Sequence, residues 1–199
     1  MKKPISYLAL GDSYTIGEAV VPADSFPYQL QAALSTKDIP VAEPQIIAKT
    51  GWTTDELLAA IAEQNLSKSF DLVTLLIGVN NQYRGYPLAT YEQEFKQLLA
   101  LAIHFASGDA SKVRVISIPD WGVTPFALKE ARDAAQVADE IDAYNGINKL
   151  LTMAAGVTYI DITADSRLAA SDLTLLASDG LHPSGKMYAA WVDQLLATF

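Results

Sequence analysis

The pattern of apolar segments predicts an α/β protein with three layers, in which helices cover both faces of a parallel sheet. Short runs of β-branched and aliphatic residues alternate along the chain with longer segments of helical periodicity. The run Leu72–Ile77 is apolar at nearly every position, which is typical of a strand covered on both faces. Strands that alternate with helices are joined by right-handed crossovers, so the predicted strands are parallel.

Five strands and five helices are predicted. The strands are Ile5–Leu10, Pro44–Ala48, Leu72–Ile77, Val113–Ile118 and Val157–Ile160. The helices are Tyr28–Leu34, Thr54–Asn65, Tyr91–Ala106, Glu130–Ala155 and Ser184–Thr198. Within Tyr91–Ala106 the large apolar residues recur every three or four positions, which gives this helix one buried face. Ser184 has a side chain suited to an N-cap and is expected to start the last helix.

The composition is that of a compact globular protein. A chain of 199 residues has the size of one domain and no segment indicates a second, so residues 1–199 are interpreted as a single domain. Half of the residues are hydrophobic and only 19% are charged, which excludes an intrinsically disordered chain. The chain has no cysteine, and this excludes disulfides, thiolate catalysis and cysteine-ligated zinc.

The charge balance argues against nucleic acid and anionic membranes as partners. The formal net charge is −9, and the 14 Lys and Arg residues form no basic run. No apolar stretch reaches the roughly 18 residues of a membrane-spanning helix. Met1-Lys2-Lys3 looks like the start of a signal peptide, but the apolar stretch after it is shorter than the roughly 7–15 residues required. We therefore predict a cytoplasmic protein without integral membrane association.

The first predicted strand is followed by Gly11-Asp12-Ser13. A serine after a strand can act as a nucleophile at the edge of the sheet, and the glycine before it permits a tight turn. A lone Gly-Asp-Ser is more often a turn or a helix cap. The motif is not the Gly-x-Ser-x-Gly of α/β-hydrolases, because Tyr14-Thr15 follows the serine.

A second motif, Asp179-Gly180-Leu181-His182, stands just before the last predicted helix. On one tight loop the carboxylate of Asp179 can accept a hydrogen bond from one ring nitrogen of His182, which leaves the other nitrogen to face Ser13. This arrangement fixes the histidine tautomer and stabilises the imidazolium that forms when a serine gives up its proton. The alternative is a surface loop in which Asp179 and Ser184 only cap turns.

Two further loops carry hydrogen-bond donors that could stabilise an oxyanion. Gly51 follows the second predicted strand and can expose a backbone N–H, and Asn80 follows the third and can present a side-chain amide. Their ordinary roles would be a turn glycine and a helix cap. The carboxyl ends of parallel strands meet at one edge of the sheet, so the four loops are expected to form one pocket.

These four motifs, in this order, resemble the sequence blocks of the SGNH (GDSL-type) hydrolases, a family of lipases and acylhydrolases. The resemblance implies a flavodoxin-like fold with a five-stranded parallel sheet. It implies that Ser13 is the nucleophile, with His182 as the base oriented by Asp179. It also implies an oxyanion hole made by the backbone N–H groups of Ser13 and Gly51 and by the side-chain amide of Asn80. No cofactor or metal is expected.

The third block departs from the family pattern at one position. Asn81 stands where the family often has an aspartate, whereas the preceding residue, Asn80, is retained. The sequence therefore leaves open how this loop is held by hydrogen bonds and which substrate is preferred, whereas the oxyanion amide is kept.

Several residues beside the blocks are candidates for substrate binding. The predicted set consists of Asp12, Tyr14, Trp52, Tyr83 and Trp121. These aromatic rings, with Tyr86, can wall an acyl or sugar pocket, and they can equally be partly buried packing residues. Arg84 can meet an anionic substrate group, although a solvated loop charge is the simpler interpretation.

Three functions remain open at this point. The first is a serine esterase that cleaves carboxylic esters or thioesters, including lipid-like acyl esters and acetylated sugars, through an acyl-enzyme on Ser13. The second is a non-catalytic flavodoxin-like module that binds a small molecule. The third is a metal-assisted phosphoesterase, which the sequence disfavours because its candidate ligands have no recognised metal-binding spacing. These ligands would be Asp12, Asp120, Asp179 and His182.

Overall fold

The computed structural model describes residues 3–199, so that Met1 and Lys2 of the basic N-terminal tripeptide lie outside the described residues. Its centre is a parallel sheet with the strand order β2-β1-β3-β4-β5. The strands are Tyr7–Asp12 (β1), Gln45–Lys49 (β2), Leu72–Leu76 (β3), Val113–Ile116 (β4) and Thr158–Ile160 (β5). The predicted α/β class and five-stranded parallel sheet are confirmed.

Helices cover both faces of this sheet. They are Ser13–Ile16 (α1), Phe26–Thr36 (α2), Thr54–Gln64 (α3), Val79–Tyr83 (α4), Leu88–Phe105 (α5), Pro125–Lys129 (α6), Ala134–Ala154 (α7), Thr163–Arg167 (α8) and Gly185–Leu196 (α9). From β1 the chain steps across the sheet to β2 at one edge, and from β2 it steps in the opposite direction through β3 and β4 to β5 at the other edge. Right-handed crossovers therefore place α2 on one face and α3, α5 and α7 on the opposite face. Consistent with this, α2 packs against α9, whereas α5 packs against α3 and α7.

Every residue of β1 and of β3 is buried, because both strands lie inside the sheet and are covered by helices on each face. Gly11 pairs with Ala48 on one side and with Leu76 on the other. A Cβ at Gly11 would lie 2.1 Å from the Thr15 hydroxyl oxygen and 2.4 Å from the Leu76 carbonyl oxygen. Only glycine fits at this point between the strand and the helix that follows it.

The first strand runs two residues further than predicted. Gly11 and Asp12 stay paired with β2, so that Asp12 ends the strand and Ser13 begins α1 with no loop between them. Pairing with a neighbouring strand is a tertiary effect that a local sequence pattern does not contain.

The long helix predicted at Glu130–Ala155 begins later, at Ala134. Ala131 has a φ of +52°, which ends the turn after α6, and the side chain of Asp133 then caps α7. Ser184 caps the last helix as predicted, through a hydrogen bond from the Met187 N–H. Within residues 3–199 no helix is long and apolar enough to cross a membrane.

Candidate active site

The candidate site lies where the strand order reverses, at the carboxyl ends of β1 and β3. In open parallel sheets this edge forms a crevice, because the crossovers on its two sides go to opposite faces. Ser13 follows β1 directly, and Asn80 lies in α4, just after β3. The loop before α9 brings Asp179 and His182 to the same edge.

Ser13, His182 and Asp179 form a continuous chain of hydrogen bonds. The Oγ of Ser13 lies 2.9 Å from Nε2 of His182, and Nδ1 of the same ring lies 2.6 Å from Oδ2 of Asp179. Ser13 and His182 are only 4% and 7% exposed. The ring of Tyr14 packs against the imidazole, with their centroids 5.2 Å apart.

The second carboxylate oxygen of Asp179 holds the loop itself. It accepts hydrogen bonds from the backbone N–H groups of Leu181 and His182, each at 3.0 Å. Partial burial acts to raise the pKa of Asp179, but the bonds from the His182 ring and from these two amides outweigh it and keep the pKa below its ordinary value. Asp179 is therefore an ionised acceptor that fixes the orientation of the imidazole.

Asp12 lies beneath Ser13 and caps α1. Its Oδ1 accepts the backbone N–H of Tyr14 at 3.0 Å, and its side chain is 0% exposed. Burial raises the pKa of Asp12 to about 7, against the opposing effect of the hydrogen bonds that it accepts. Asp12 is thus buried at the end of β1, and its contact with substrate stays a prediction.

Gly51 lies in the turn after β2, and Asn80 contacts the next residue of this turn, Trp52. Gly51 has a φ of +85°, in the left-handed region that favours glycine. The Nδ2 of Asn80 donates to the carbonyl oxygen of Trp52 at 2.9 Å. A side-chain amide carries two N–H groups, so one donor of Asn80 remains for another acceptor.

Asn81, which stands where the family often has an aspartate, is buried and connects α4 to the start of α3. Its Oδ1 accepts the Thr54 N–H at 3.1 Å, and its Nδ2 donates to the Thr54 hydroxyl at 2.6 Å. The hydroxyl in turn donates to Glu94 of α5. An aspartate could not donate to Thr54, so this hydrogen-bond chain depends on the amide.

A cavity of about 150 Å³ opens beside the Ser13 hydroxyl. Ser13, Asn80 and His182 contribute its polar atoms. The rest of its wall is apolar or aromatic and consists of Tyr14, Val79, Tyr83, Trp121, Phe126 and Leu181. The cavity therefore combines a few polar groups at one end with an apolar wall, as small-molecule sites generally do.

The aromatic wall of this cavity is held by polar contacts behind it. The indole N–H of Trp121 donates to Oε1 of Gln82 at 2.7 Å, and the Gln82 amide donates to Glu140 at 2.6 Å. Tyr83 packs edge-on against Trp121 with ring centroids 5.3 Å apart. The guanidinium of Arg132 lies over both rings. The wall is thus preorganised.

Residues 9–190 match a sequence model of the GDSL-like Lipase/Acylhydrolase family. The chain belongs to this family. It is therefore a hydrolase that acts on ester bonds, and the resemblance inferred from the four blocks is confirmed. A comparison with curated proteins gives no match.

Three solved structures share the fold of this chain. TesA superposes with a TM-score of 0.76 at 15% identity, covering 97% of both chains. A lipase/acylhydrolase from Enterococcus faecalis has a TM-score of 0.74 at 19% identity, covering 97% of this chain and 94% of that one. Axe2, an acetylxylan esterase from Geobacillus stearothermophilus, has a TM-score of 0.72 at 18% identity, covering 98% and 93%.

The residues predicted to bind substrate divide into two groups. Tyr14, Tyr83 and Trp121 line the cavity. Trp52 does not: its ring packs against the core, while its carbonyl oxygen accepts a hydrogen bond from the Asn80 amide, and its role in substrate binding stays a prediction. Gly51 is also not among the residues that line the cavity.

Three wall residues were not predicted. Val79 and Phe126 lie in the short helices α4 and α6, whose single turns have no hydrophobic periodicity to reveal them. Leu181 lies inside the Asp-x-x-His motif, and its position between two polar site residues is the one sequence signal that points to a place in the cavity wall. Tyr86, an aromatic candidate beside the third block, lines a separate depression with Gln82 and Glu140.

Arg84 is exposed to solvent, as expected of a loop charge, and it is not part of the cavity wall, but its guanidinium has two fixed partners. Its Nη2 donates to the carbonyl oxygen of Gly51 at 2.6 Å, and its Nη1 lies 3.4 Å from a carboxylate oxygen of Glu56.

The candidate ligands of the phosphoesterase hypothesis are not gathered into a metal site. Among the described residues the structure brings together no group of three or more acidic or histidine side chains that could hold a metal ion. Asp120 instead pairs with Arg167 at 2.8 Å and accepts the Gly122 N–H.

Proposed function

We propose that this family member is a serine esterase whose reaction passes through an acyl-enzyme on Ser13. The observation that carries the proposal is the hydrogen-bonded chain from Ser13 Oγ through His182 to Asp179, at 2.9 and 2.6 Å, at the polar end of an apolar cavity. This geometry satisfies the requirement that a nucleophile contact a base which is itself oriented by a third group.

The first half of the reaction acylates Ser13. Its Oγ attacks the carbonyl carbon of the ester while its proton passes to Nε2 of His182, and the resulting imidazolium is stabilised by the ionised Asp179. A tetrahedral intermediate with a negative oxygen forms. When it collapses, the bond to the alcohol oxygen breaks, and that oxygen takes the proton from Nε2. The alcohol leaves and the acyl group remains on Ser13.

The second half repeats these steps with water. His182 takes a proton from the water as its oxygen attacks the acyl carbon, and Ser13 Oγ regains that proton as the carboxylic acid leaves. The backbone N–H of Ser13 at the start of α1, the N–H of Gly51 and the free N–H of the Asn80 amide would stabilise the negative oxygen in both halves. Loss of one such donor typically lowers turnover by about 10²–10³-fold.

The substrate we propose is a small-molecule carboxylic ester with a short acyl group. The wall formed by Val79, Trp121, Phe126 and Leu181 is apolar, which suits an alkyl chain. The volume of about 150 Å³ limits its length. An apolar cavity of about this size in another protein accepts benzene. The structural neighbour Axe2 is an acetylxylan esterase, which makes an acetyl ester the first compound to try.

The test is hydrolysis of para-nitrophenyl esters from acetyl to dodecanoyl by the wild-type enzyme and by Ser13→Ala, each with and without EDTA. We expect kcat/KM to fall at least about 10³-fold in Ser13→Ala, to be unaffected by EDTA, and to be highest for the short acyl groups. The matched control is Ser35→Ala, which removes an exposed hydroxyl on α2 and should leave kcat/KM unchanged.

The other hypotheses make different predictions for the same assay. Activity that EDTA abolishes and that Ser13→Ala retains would support the phosphoesterase chemistry and overturn the proposal. A profile that rises steadily to dodecanoyl would contradict the short acyl group while leaving the nucleophile in place.

A further inference from the structure

The one-turn helix α4 and the residue after it, Arg84, are attached at three points to the segment that runs from the turn after β2 to the start of α3. We call residues 50–53 the β2 turn. The Asn80 amide donates to the Trp52 carbonyl oxygen, and Asn81 exchanges two hydrogen bonds with Thr54 at the start of α3. Arg84, four residues after Asn80, donates to the Gly51 carbonyl oxygen at 2.6 Å. Residues four apart in a helix lie on the same face, so Asn80 and Arg84 reach the same turn.

Glu56 joins Arg84 to the other end of the β2 turn. Its Oε2 accepts the Thr53 N–H at 2.9 Å and lies 3.4 Å from Arg84 Nη1. The hydrogen bond from Thr53, with a smaller contribution from Arg84, holds the pKa of Glu56 below its ordinary value. The guanidinium therefore bridges a backbone carbonyl and an ionised carboxylate, and Glu56 connects it to the Thr53 amide.

In the β2 turn Trp52 and Thr53 are held by local contacts: the Trp52 N–H donates to the Lys49 carbonyl oxygen, the Trp52 ring packs on the core, and Thr53 caps α3. Gly51, in contrast, carries no side chain and has a left-handed φ of +85°. Glycine adopts positive and negative φ about equally readily, so its own preference does not fix this conformation. At the near end of the turn the Thr50 hydroxyl donates to Glu18. The carbonyl of Gly51 is held by Arg84, so this contact opposes rotation of the residue that carries the proposed oxyanion N–H.

We propose that Arg84 is a positioning residue, which holds the Gly51 N–H and the Asn80 amide in a fixed relation to each other. The proposal rests on the proposed function, since it assigns both groups to the oxyanion hole. A guanidinium suits this role because it always carries a charge and its donors point in a fixed fork, which makes its bond to a carbonyl oxygen short and directional.

Displacement of an oxyanion donor weakens the binding of the transition state more than the binding of the substrate ester. The donors act on the charge that develops on the carbonyl oxygen, which is small in the substrate and full in the tetrahedral intermediate. Loss of Arg84 should therefore lower kcat and leave KM nearly unchanged. A residue that bound an anionic part of the substrate would have the opposite effect.

The experiment compares Arg84→Ala and Arg84→Lys with the wild-type enzyme on para-nitrophenyl acetate. We expect Arg84→Ala to lower kcat about 10- to 100-fold with KM within about twofold, because a misplacement of about 1 Å can cost about 10²-fold. Arg84→Lys keeps a charged donor and should recover part of the loss. The matched control is Lys149→Ala, which removes an exposed ion pair of similar length, 3.5 Å, to Asp161.

A second readout isolates the oxyanion hole. Trifluoroacetone accepts Ser13 Oγ at its carbonyl carbon, with the proton passing to His182, and so forms a reversible hemiketal that mimics the tetrahedral intermediate. Its inhibition constant should rise in Arg84→Ala by the same factor as kcat falls. A purely structural contact would lower the melting temperature without changing this constant in the folded protein.

The outcomes separate this inference from the proposed function. If Ser13→Ala keeps full activity, the proposed function fails and the inference fails with it. If Ser13→Ala is inactive while Arg84→Ala keeps its kcat and its trifluoroacetone affinity, only the inference is overturned. A rise in KM confined to mono-para-nitrophenyl succinate, with kcat unchanged, would make Arg84 an anion-binding residue and would also overturn it. Should Arg84→Ala not fold, Arg84→Lys and Glu56→Gln supply the same comparison.

Discussion

The carboxyl group of Asp12 is placed where ionisation is costly. It is fully buried, one of its oxygens accepts the Tyr14 N–H, and the other has no hydrogen-bond partner. Burial raises its pKa to about 7 from an ordinary value of 3.8. The folded protein therefore keeps this proton over a pH range in which the unfolded chain has released it.

This difference predicts how stability depends on pH. Between about pH 4 and 7 the folded state binds more protons than the unfolded state, so the free energy of unfolding falls as pH rises and levels off above about pH 7. From about pH 5 to 8 the loss assigned to Asp12 is on the order of 3 kcal/mol. Asp12→Asn still offers an oxygen to the Tyr14 N–H but cannot ionise, and should remove this part of the loss.

Urea unfolding of both proteins at several pH values measures this effect. Other carboxylates titrate equally in the two proteins, so the difference between the two curves isolates Asp12. Parallel curves for wild type and Asp12→Asn would contradict the raised pKa.

At the scale of elements, Gly11 shows how a motif glycine is fixed by packing between β1, β3 and α1. Gly11→Ala places a methyl group against the Leu76 carbonyl oxygen and the Thr15 side chain, and the backbone carbonyl cannot move away. We expect a loss of at least about 2–3 kcal/mol in the free energy of unfolding, measured by urea denaturation. Gly146→Ala in α7 is the control: nothing lies within 4 Å of its Cβ position, and it should stabilise by about 0.5–1 kcal/mol. Equal effects at the two positions would refute the packing argument.

Sequence patterns predict elements to the extent that each element is encoded locally. The alternation of strands and helices, with the rule for parallel sheets, is sufficient to bring Ser13 and Asn80 to one edge, whereas His182 lies in the loop before α9 and follows no strand directly. The extension of β1 through Asp12 depends on pairing with β2, which no local pattern contains. The role of Asn81 likewise depends on Thr54 and Glu94, which only the tertiary structure brings beside it.

At the scale of the whole molecule, the candidate active site and a buried arginine lie at opposite ends of the sheet. Arg114, near the start of β4, is 6% exposed. Its guanidinium donates to the carbonyl oxygens of Ser111, Val113 and Thr198 and to the Thr198 hydroxyl, and it lies over the ring of Phe199. These contacts attach residues 198–199 to the amino end of the sheet, far from the Ser13 hydroxyl at the carboxyl end.

This separation predicts that stability and catalysis can be changed independently. Arg114→Met keeps the length of the side chain but leaves the Ser111 and Thr198 carbonyl oxygens without their donor, and each such loss costs about 1–3 kcal/mol. We expect the melting temperature to fall by about 5–10 °C. The value of kcat/KM for para-nitrophenyl acetate, measured well below that temperature, should stay within about twofold of wild type. The control Lys149→Met removes an exposed ion pair and a contact of the ammonium with the Tyr159 ring, and should shift the melting temperature by about 2 °C or less. The predicted single domain requires a single cooperative transition in these melts, and two transitions would contradict it. A loss of activity in folded Arg114→Met would show that stability at the amino end of the sheet and catalysis at the carboxyl end are not independent.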